Sequence, residues 1–142
     1  MKILEVQRIA DRIAEEFGVI GLKVCTLKDS SVHTANANAL ALEVSLSEKI
    51  LGLSKEVVLA VLAHEVAHVS SCHYFGSSHL VEYQADELAV EILEFLGYSK
   101  QTLLKVFSED VPKMLEADGE KDFNSSSHPS FKNRAEAIKA LK

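Results

Sequence analysis

The sequence lacks a long uncharged hydrophobic run. The longest such run near its most hydrophobic part is Val57 to Ala63, which is far shorter than the roughly 18 residues that indicate a membrane-spanning helix. The first residues, Met1 to Val19, interleave charged and apolar residues at helical spacing. This pattern is typical of an amphipathic helix and not of a secretory signal peptide. We therefore expect no membrane span and a cytoplasmic location.

The sequence is also poor in cysteine and has no block of like charge. Cys25 and Cys72 are its two cysteines, and their spacing is not that of a metal or redox motif. A cytoplasmic chain would keep both of them reduced. The net charge of −6 is spread along the chain. This distribution argues against nucleic acid and against anionic membrane surfaces as partners.

The length of 142 residues is that of one domain, and we find neither an internal repeat nor a dividing linker. Residues 1–142 are therefore predicted to form a single domain. Residues Leu22 to Leu27 alternate between apolar and polar, as in a half-buried strand. Val32 to Ala37 and Leu40 to Leu46 are also compatible with strands. We expect these three segments to form a small, mainly antiparallel sheet.

Helices are predicted on both sides of this sheet, which gives an α+β fold. Serine residues stand where helix caps are expected, before a long helix at Ser54, before a helix from Thr102 to Ser108 at Ser99, and before a last helix at Ser130. A short helical turn from Ser47 to Leu51 and a helix from Leu80 to Leu96 complete the set. The polar stretch from Asp118 to Ser127 is predicted to be an exposed loop.

The long helix after Ser54 carries three polar residues in an otherwise apolar sequence, VVLAVLAHEVAHV. His64 and His68 are four residues apart, so they lie on one face of the helix and can bind one ion together. Glu65 lies beside them. The pattern H-E-x-x-H supplies two nitrogen ligands for zinc and a carboxylate that can accept a proton from an activated water.

A purely structural interpretation is a core helix with two hydrogen-bonded histidines and a glutamate. Burying three such groups without partners would cost several kcal/mol, which favours the metal site. A catalytic zinc needs a third protein ligand and an open position for water. The candidates for this third ligand are Glu82, Asp86, Cys72, His73, His79 and His128. Glu82 and Asp86 are favoured, because they share a face of a helix that can fold back on the motif helix after a turn at Gly76 to Ser78.

Three separated motifs resemble one known family. They are HEVAH at residues 64–68, EYQAD at residues 82–86 and SHPSFKNR at residues 127–134, and LGY at residues 96–98 lies between them. In this order they resemble the gluzincin metallopeptidases typified by HtpX and the CaaX prenyl proteases. The chain lacks the transmembrane helices of those members. In size and solubility it is more similar to the minigluzincins, the minimal soluble versions of the scaffold.

The resemblance implies a zincin-like fold and a role for each motif residue. One Zn²⁺ would be bound by His64, His68 and Glu82, with Glu65 as general base. Asp86 would support a ligand imidazole, and His128 and Arg134 would lie near the transition-state oxyanion.

The resemblance also implies where a substrate would bind. The stretch Asn36, Ala37, Asn38 and Ala39 resembles the edge strand that lies beside the cleft in the family. The chain departs from the family's glycine-rich continuation of this stretch, because Ala41 to Val44 follows instead.

The sequence therefore predicts a zinc-dependent endopeptidase that hydrolyses peptides or unfolded proteins. The alternative is a non-catalytic or latent zinc domain that uses the same scaffold to bind a partner. A fourth protein ligand in place of water, for example His128, would mark that alternative.

Overall fold

A computed structural model describes residues 1–27, 35–71, 79–110 and 130–141. Within these ranges the chain forms six α-helices, a π-helical segment and three strands. In chain order they are α1 (Ile3–Phe17), β1 (Lys23–Leu27), β2 (Ala35–Asn38), β3 (Glu43–Ser47), α2 (Glu48–Leu51), α3 (Lys55–Ser70), α4 (His79–Phe95), α5 (Lys100–Lys105), the π segment (Val106–Asp110) and α6 (Phe131–Lys139). The predicted α+β class is confirmed.

The three strands form one sheet in the order β1–β3–β2. Strands β2 and β3 are antiparallel, with Ala35 opposite Leu46, whereas β1 and β3 are parallel, with Lys23 opposite Glu43. The sheet is therefore mixed and not mainly antiparallel as predicted. Alternation of apolar residues identifies a strand but not its neighbour, and here the last strand of the three lies between the first two.

One edge of the sheet is covered by the first helix. The amide side chain of Gln7 on α1 donates from Nε2 to the carbonyl oxygen of Leu22 over 3.0 Å, and its Oε1 accepts from the backbone N–H of Val24 over 2.8 Å. The side chain thus pairs with β1 as a neighbouring strand would. Such cover blocks the addition of a further strand to an edge. In the part of the chain that the structure describes, the opposite edge of the sheet is β2, where Asn36 and Asn38 are exposed.

Helix α3 is the centre of the core. Apart from its ends its side chains are almost all buried, and even His64 and Glu65 are only 8% and 9% exposed. The helix packs against α4 on one side and against β2 and β3 on another. A helix that is buried on nearly all sides needs no amphipathic pattern. Its polar residues therefore lie inside the protein.

The caps predicted at Ser54, Ser99 and Ser130 agree with the structure, because each side chain accepts a hydrogen bond from a backbone N–H in the first turn of the following helix. Ser47, which is predicted to lie within a helical turn, caps α2 in the same way. The predicted helix from Thr102 to Ser108 is different, because α5 ends at Lys105 and a π-helical turn follows. In the described residues no helix is long and apolar enough to cross a membrane.

Several predictions concern residues outside the described ranges. They include the turn at Gly76 to Ser78, the polar loop from Asp118 to Ser127, and the start of the second predicted strand at Val32.

Candidate metal centre

The two histidines of α3 converge as their spacing predicts. The Nε2 atoms of His64 and His68 are 3.1 Å apart, and the two imidazole rings are perpendicular, with centroids 4.7 Å apart. Four residues advance an α-helix by slightly more than one turn, so both rings project from the same face. One ion can therefore contact both nitrogens.

Helix α4 brings a carboxylate to the same point. The Oε2 atom of Glu82 lies 3.0 Å from Nε2 of His64 and 3.4 Å from Nε2 of His68. Because Glu82 is only 3% exposed, its carboxylate is held inside the protein and faces the two rings. Among the described residues these three form the group that is close enough to hold a metal ion.

The separations of the three ligand atoms match a zinc site. Zinc bonds of about 2.0 to 2.1 Å in tetrahedral geometry place neighbouring ligand atoms about 3.3 Å apart. The three distances in the structure, 3.0, 3.1 and 3.4 Å, are close to this value. Two imidazole nitrogens and one carboxylate oxygen are also a donor set that zinc prefers. The residues present therefore fit the ion.

A second carboxylate of α4 lies behind the first histidine. Asp86 is one helical turn after Glu82, and its Oδ1 is 2.8 Å from Nδ1 of His64. The two nitrogens of the His64 ring thus face two different carboxylates. A hydrogen bond at Nδ1 keeps the proton on that atom and leaves Nε2 as the atom that can bind a metal.

Helix α6 contributes a buried arginine to the same carboxylate. Arg134 donates from Nε to Oδ2 of Asp86 over 2.9 Å and from Nη2 to Oδ1 over 2.8 Å. This is the bidentate geometry that makes such pairs strong. Arg134 is 6% exposed, and its guanidinium carbon lies 4.2 Å from the centre of the Phe107 ring.

The charges of this cluster shift the pKa values of its members. Burial and the Arg134 charge lower the pKa of His64, but the hydrogen bonds that its ring can donate to Asp86 and Glu82 outweigh them and raise the pKa to about 9. Burial alone would raise the pKa of Glu82, but hydrogen bonds from the two histidines hold it well below its ordinary value. In the absence of an ion these shifts favour a proton on His64 and an ionised Glu82, and a metal cation would compete with that proton.

Glu65 differs from the other carboxylates. Burial raises its pKa above the ordinary value, although the positive charge on His64 and His68 acts in the opposite direction. A buried carboxylate with a raised pKa beside a metal-ligating group is a common feature of catalytic acids and bases.

Comparison with known families identifies the chain. The model of peptidase family M48 matches it in two overlapping segments, residues 2–79 and 75–142. The chain belongs to peptidase family M48. The gluzincin resemblance noted from the sequence is thereby confirmed, and M48 metallopeptidases use zinc. No significant match was found among the curated proteins or the solved structures.

The other site residues predicted from the sequence of this M48 chain lie partly inside and partly outside the described residues. Asn36, Ala37 and Asn38 lie in the edge strand β2, which packs on α3, and Ala39 begins the turn that follows. Of the other ligand candidates, Cys72, His73 and His128 lie outside the described residues. His79 is the first residue of α4, but its side chain also lies outside the described part.

Sequence reasoning missed one neighbour of the M48 site. Phe107 lies against both His64 and Arg134, with its ring centre 6.4 Å from that of the His64 imidazole and 4.2 Å from the guanidinium carbon. In the sequence, a phenylalanine among other apolar residues of a helix is expected in the core, and nothing indicates that it contacts a charged group. Only the packing of α6 against the π segment brings the two together.

Proposed function

We propose that this M48 chain is a zinc-dependent endopeptidase that acts on peptides or unfolded proteins. The observation that carries the proposal is the convergence of the ligand atoms of His64, His68 and Glu82 at separations suited to zinc. These three side chains would hold one Zn²⁺. When bound, zinc would supply Lewis-acid activation of water and of the peptide carbonyl. Three protein ligands leave a position for water, as in catalytic sites.

Glu65 is the general base in this proposal. It follows His64 directly in α3 and is held in the interior by the buried helix. Its carboxylate would accept a proton from the attacking water and deliver it to the nitrogen of the departing amine. The raised pKa of Glu65 supports both steps, because a proton taken by a less acidic carboxylic acid is retained until the amine can accept it.

Asp86 and Arg134 have positioning roles in the proposal. Asp86 would hold the proton on Nδ1 of His64 and so orient the ring toward the ion. Two nitrogens of Arg134, Nε and Nη2, donate to Asp86. We therefore propose that Arg134 orients Asp86 and does not contact the substrate directly. A role of His128 at the oxyanion remains a prediction from the family resemblance. The cytoplasmic location remains a prediction from the amphipathic pattern of the first residues.

The edge strand β2 is the proposed binding site for the substrate backbone. Among the described strands it pairs with β3 alone, while the other edge of the sheet is covered by Gln7. An extended peptide could add to β2 through Asn36, Ala37, Asn38 and Ala39 by main-chain hydrogen bonds. Recognition of this kind needs no particular side chain and predicts broad specificity.

A series of quenched peptides tests this mode of binding. We expect N-methylation of single backbone amides to raise KM by about fivefold at every second residue, because alternate N–H groups of a strand face its partner and each lost hydrogen bond costs about 1 kcal/mol. Side-chain exchange to alanine at the same positions should have smaller effects. A control must show that a zinc chelator stops the hydrolysis and that added zinc restores it. A KM that responds to side chains and not to N-methylation would contradict binding along β2.

A further inference from the structure

The π segment brings an aromatic ring to the back of the candidate metal centre. It follows α5 without a break, and it carries Phe107, which is 5% exposed. π-Helical turns are rare, and the single turns that interrupt α-helices are frequently found at functional sites. This one contacts both α3 and α6, the helices that carry the metal-binding histidines and the buried arginine.

The ring of Phe107 lies against two members of the site. Its centre is 4.2 Å from the guanidinium carbon of Arg134 and 6.4 Å from the centre of the His64 imidazole, which it meets nearly at right angles. A cation within about 6 Å of an aromatic ring centre is attracted by the electrons of the ring face, more strongly where water is excluded. Both Arg134 and Phe107 are buried, so this attraction is not screened by solvent.

A second ring restricts the same guanidinium. Phe131 on α6 lies 5.5 Å from the guanidinium carbon of Arg134, and its ring centre is 5.7 Å from that of Phe107, at an angle of 45°. Two parallel hydrogen bonds to Asp86 require the guanidinium plane and the carboxylate plane to coincide. The two aromatic rings limit rotation of the guanidinium away from that plane.

The contacts therefore form a chain that ends at a proposed zinc ligand. Phe107 contacts Arg134, Arg134 holds both oxygens of Asp86, and Asp86 is bonded to Nδ1 of His64. We propose that Phe107 is a positioning residue that fixes the Arg134 guanidinium on Asp86 and thereby keeps Nε2 of His64 directed at the metal. The inference rests on the proposed zinc site, because its effect is on the affinity for that ion.

An aliphatic residue would not serve in place of Phe107. Leucine would fill much of the volume of the Phe107 side chain, but it has no aromatic ring whose negative face could attract the guanidinium of Arg134. The neighbouring Val106 is fully buried in the same π segment and provides packing without an aromatic ring. It is therefore a suitable control position for loss of packing alone.

The first test is the zinc affinity of purified variants, measured by competition with a chelator. We expect Phe107→Leu to bind zinc roughly tenfold more weakly than the wild type, at the lower end of the effects of groups that orient metal ligands. Val106→Ala should lower the melting temperature but leave the zinc affinity within about twofold of the wild type. Equal zinc affinity in Phe107→Leu and the wild type would overturn the proposal.

A double variant tests whether Phe107 acts through Arg134. In an Arg134→Met background, Phe107→Leu should cause no further loss of zinc affinity, because the group that it positions is absent. The same tenfold loss in both backgrounds would show that Phe107 acts on His64 independently and would overturn the proposed chain of contacts.

A measurement without metal separates this inference from the proposed function. In the metal-free protein, the His64 Nδ1 proton bonded to Asp86 should give a slowly exchanging low-field proton resonance. We expect that signal to broaden or vanish in Phe107→Leu and to persist in Val106→Ala. A wild type that binds no zinc would refute the proposed function, while persistence of the signal in both variants would refute the role of Phe107.

Discussion

The Glu65→Gln variant is expected to bind zinc as the wild type does but to hydrolyse peptides about 10²- to 10⁴-fold more slowly, the usual contribution of a general base. Glutamine has nearly the same shape as glutamate, so α3 keeps its packing and the three ligand side chains keep their positions. Its amide oxygen cannot accept the proton of the attacking water to give a stable acid. The loss should therefore appear in kcat, measured with casein or a quenched peptide at saturating substrate.

The matched control is Glu56→Gln on the same helix. Glu56 is exposed in the first turn of α3, away from the histidines, and its replacement should leave the hydrolysis rate unchanged. A Glu65→Gln variant as active as the wild type would remove Glu65 from the mechanism. A wild type that binds zinc but hydrolyses no substrate would instead favour the non-catalytic or latent zinc domain.

The Asp86→Ala variant is expected to lower the free energy of unfolding by about 3 to 5 kcal/mol, the cost of breaking a buried ion pair. Removing this carboxylate leaves the guanidinium of Arg134, which is only 6% exposed, without its two hydrogen-bond acceptors. It also removes the partner of Nδ1 of His64. Urea unfolding of the metal-free protein measures the change without a contribution from bound zinc.

Two further variants identify the cause of that loss. Glu87 is the next residue of α4 and is exposed, so Glu87→Ala should change the free energy of unfolding by no more than about 0.5 kcal/mol. Adding Arg134→Met to Asp86→Ala removes the buried charge that has lost its hydrogen-bond acceptors and should recover part of the stability. A loss below about 1 kcal/mol in Asp86→Ala would mean that solvent reaches Arg134 when its partner is removed.

The parts of the fold that depend on neighbouring residues in the sequence were predictable. Serine at a helix start accepts hydrogen bonds from N–H groups within its own turn, so Ser54 and Ser130 indicated where α3 and α6 begin. The convergence of His64 and His68 follows from helical periodicity alone. Glu82 and Asp86 required one more assumption, that α4 folds back on α3, and the structure has that packing.

The parts that depend on distant contacts were not predictable. The sheet order β1–β3–β2 depends on which strands pair across the sheet, and alternation in each strand is compatible with several pairings. The π turn after Lys105 has no established sequence signature. Arg134 contacts Asp86, which is 48 residues earlier, and Phe107 in the π segment. The local sequence of a helix does not distinguish an exposed arginine from a buried one, so the burial of Arg134 could not be predicted from its neighbours.

The most direct test of the proposed zinc site is the zinc content of the purified protein, determined by elemental analysis for the wild type, Glu82→Ala and Glu87→Ala. The two substitutions remove a carboxylate from the same helix, one facing His64 and His68 and the other facing solvent. We predict about one zinc per chain in the wild type and in Glu87→Ala, and almost none in Glu82→Ala, because two imidazoles alone hold the ion too weakly to survive purification. An unchanged zinc content in Glu82→Ala would contradict the proposed ligand set.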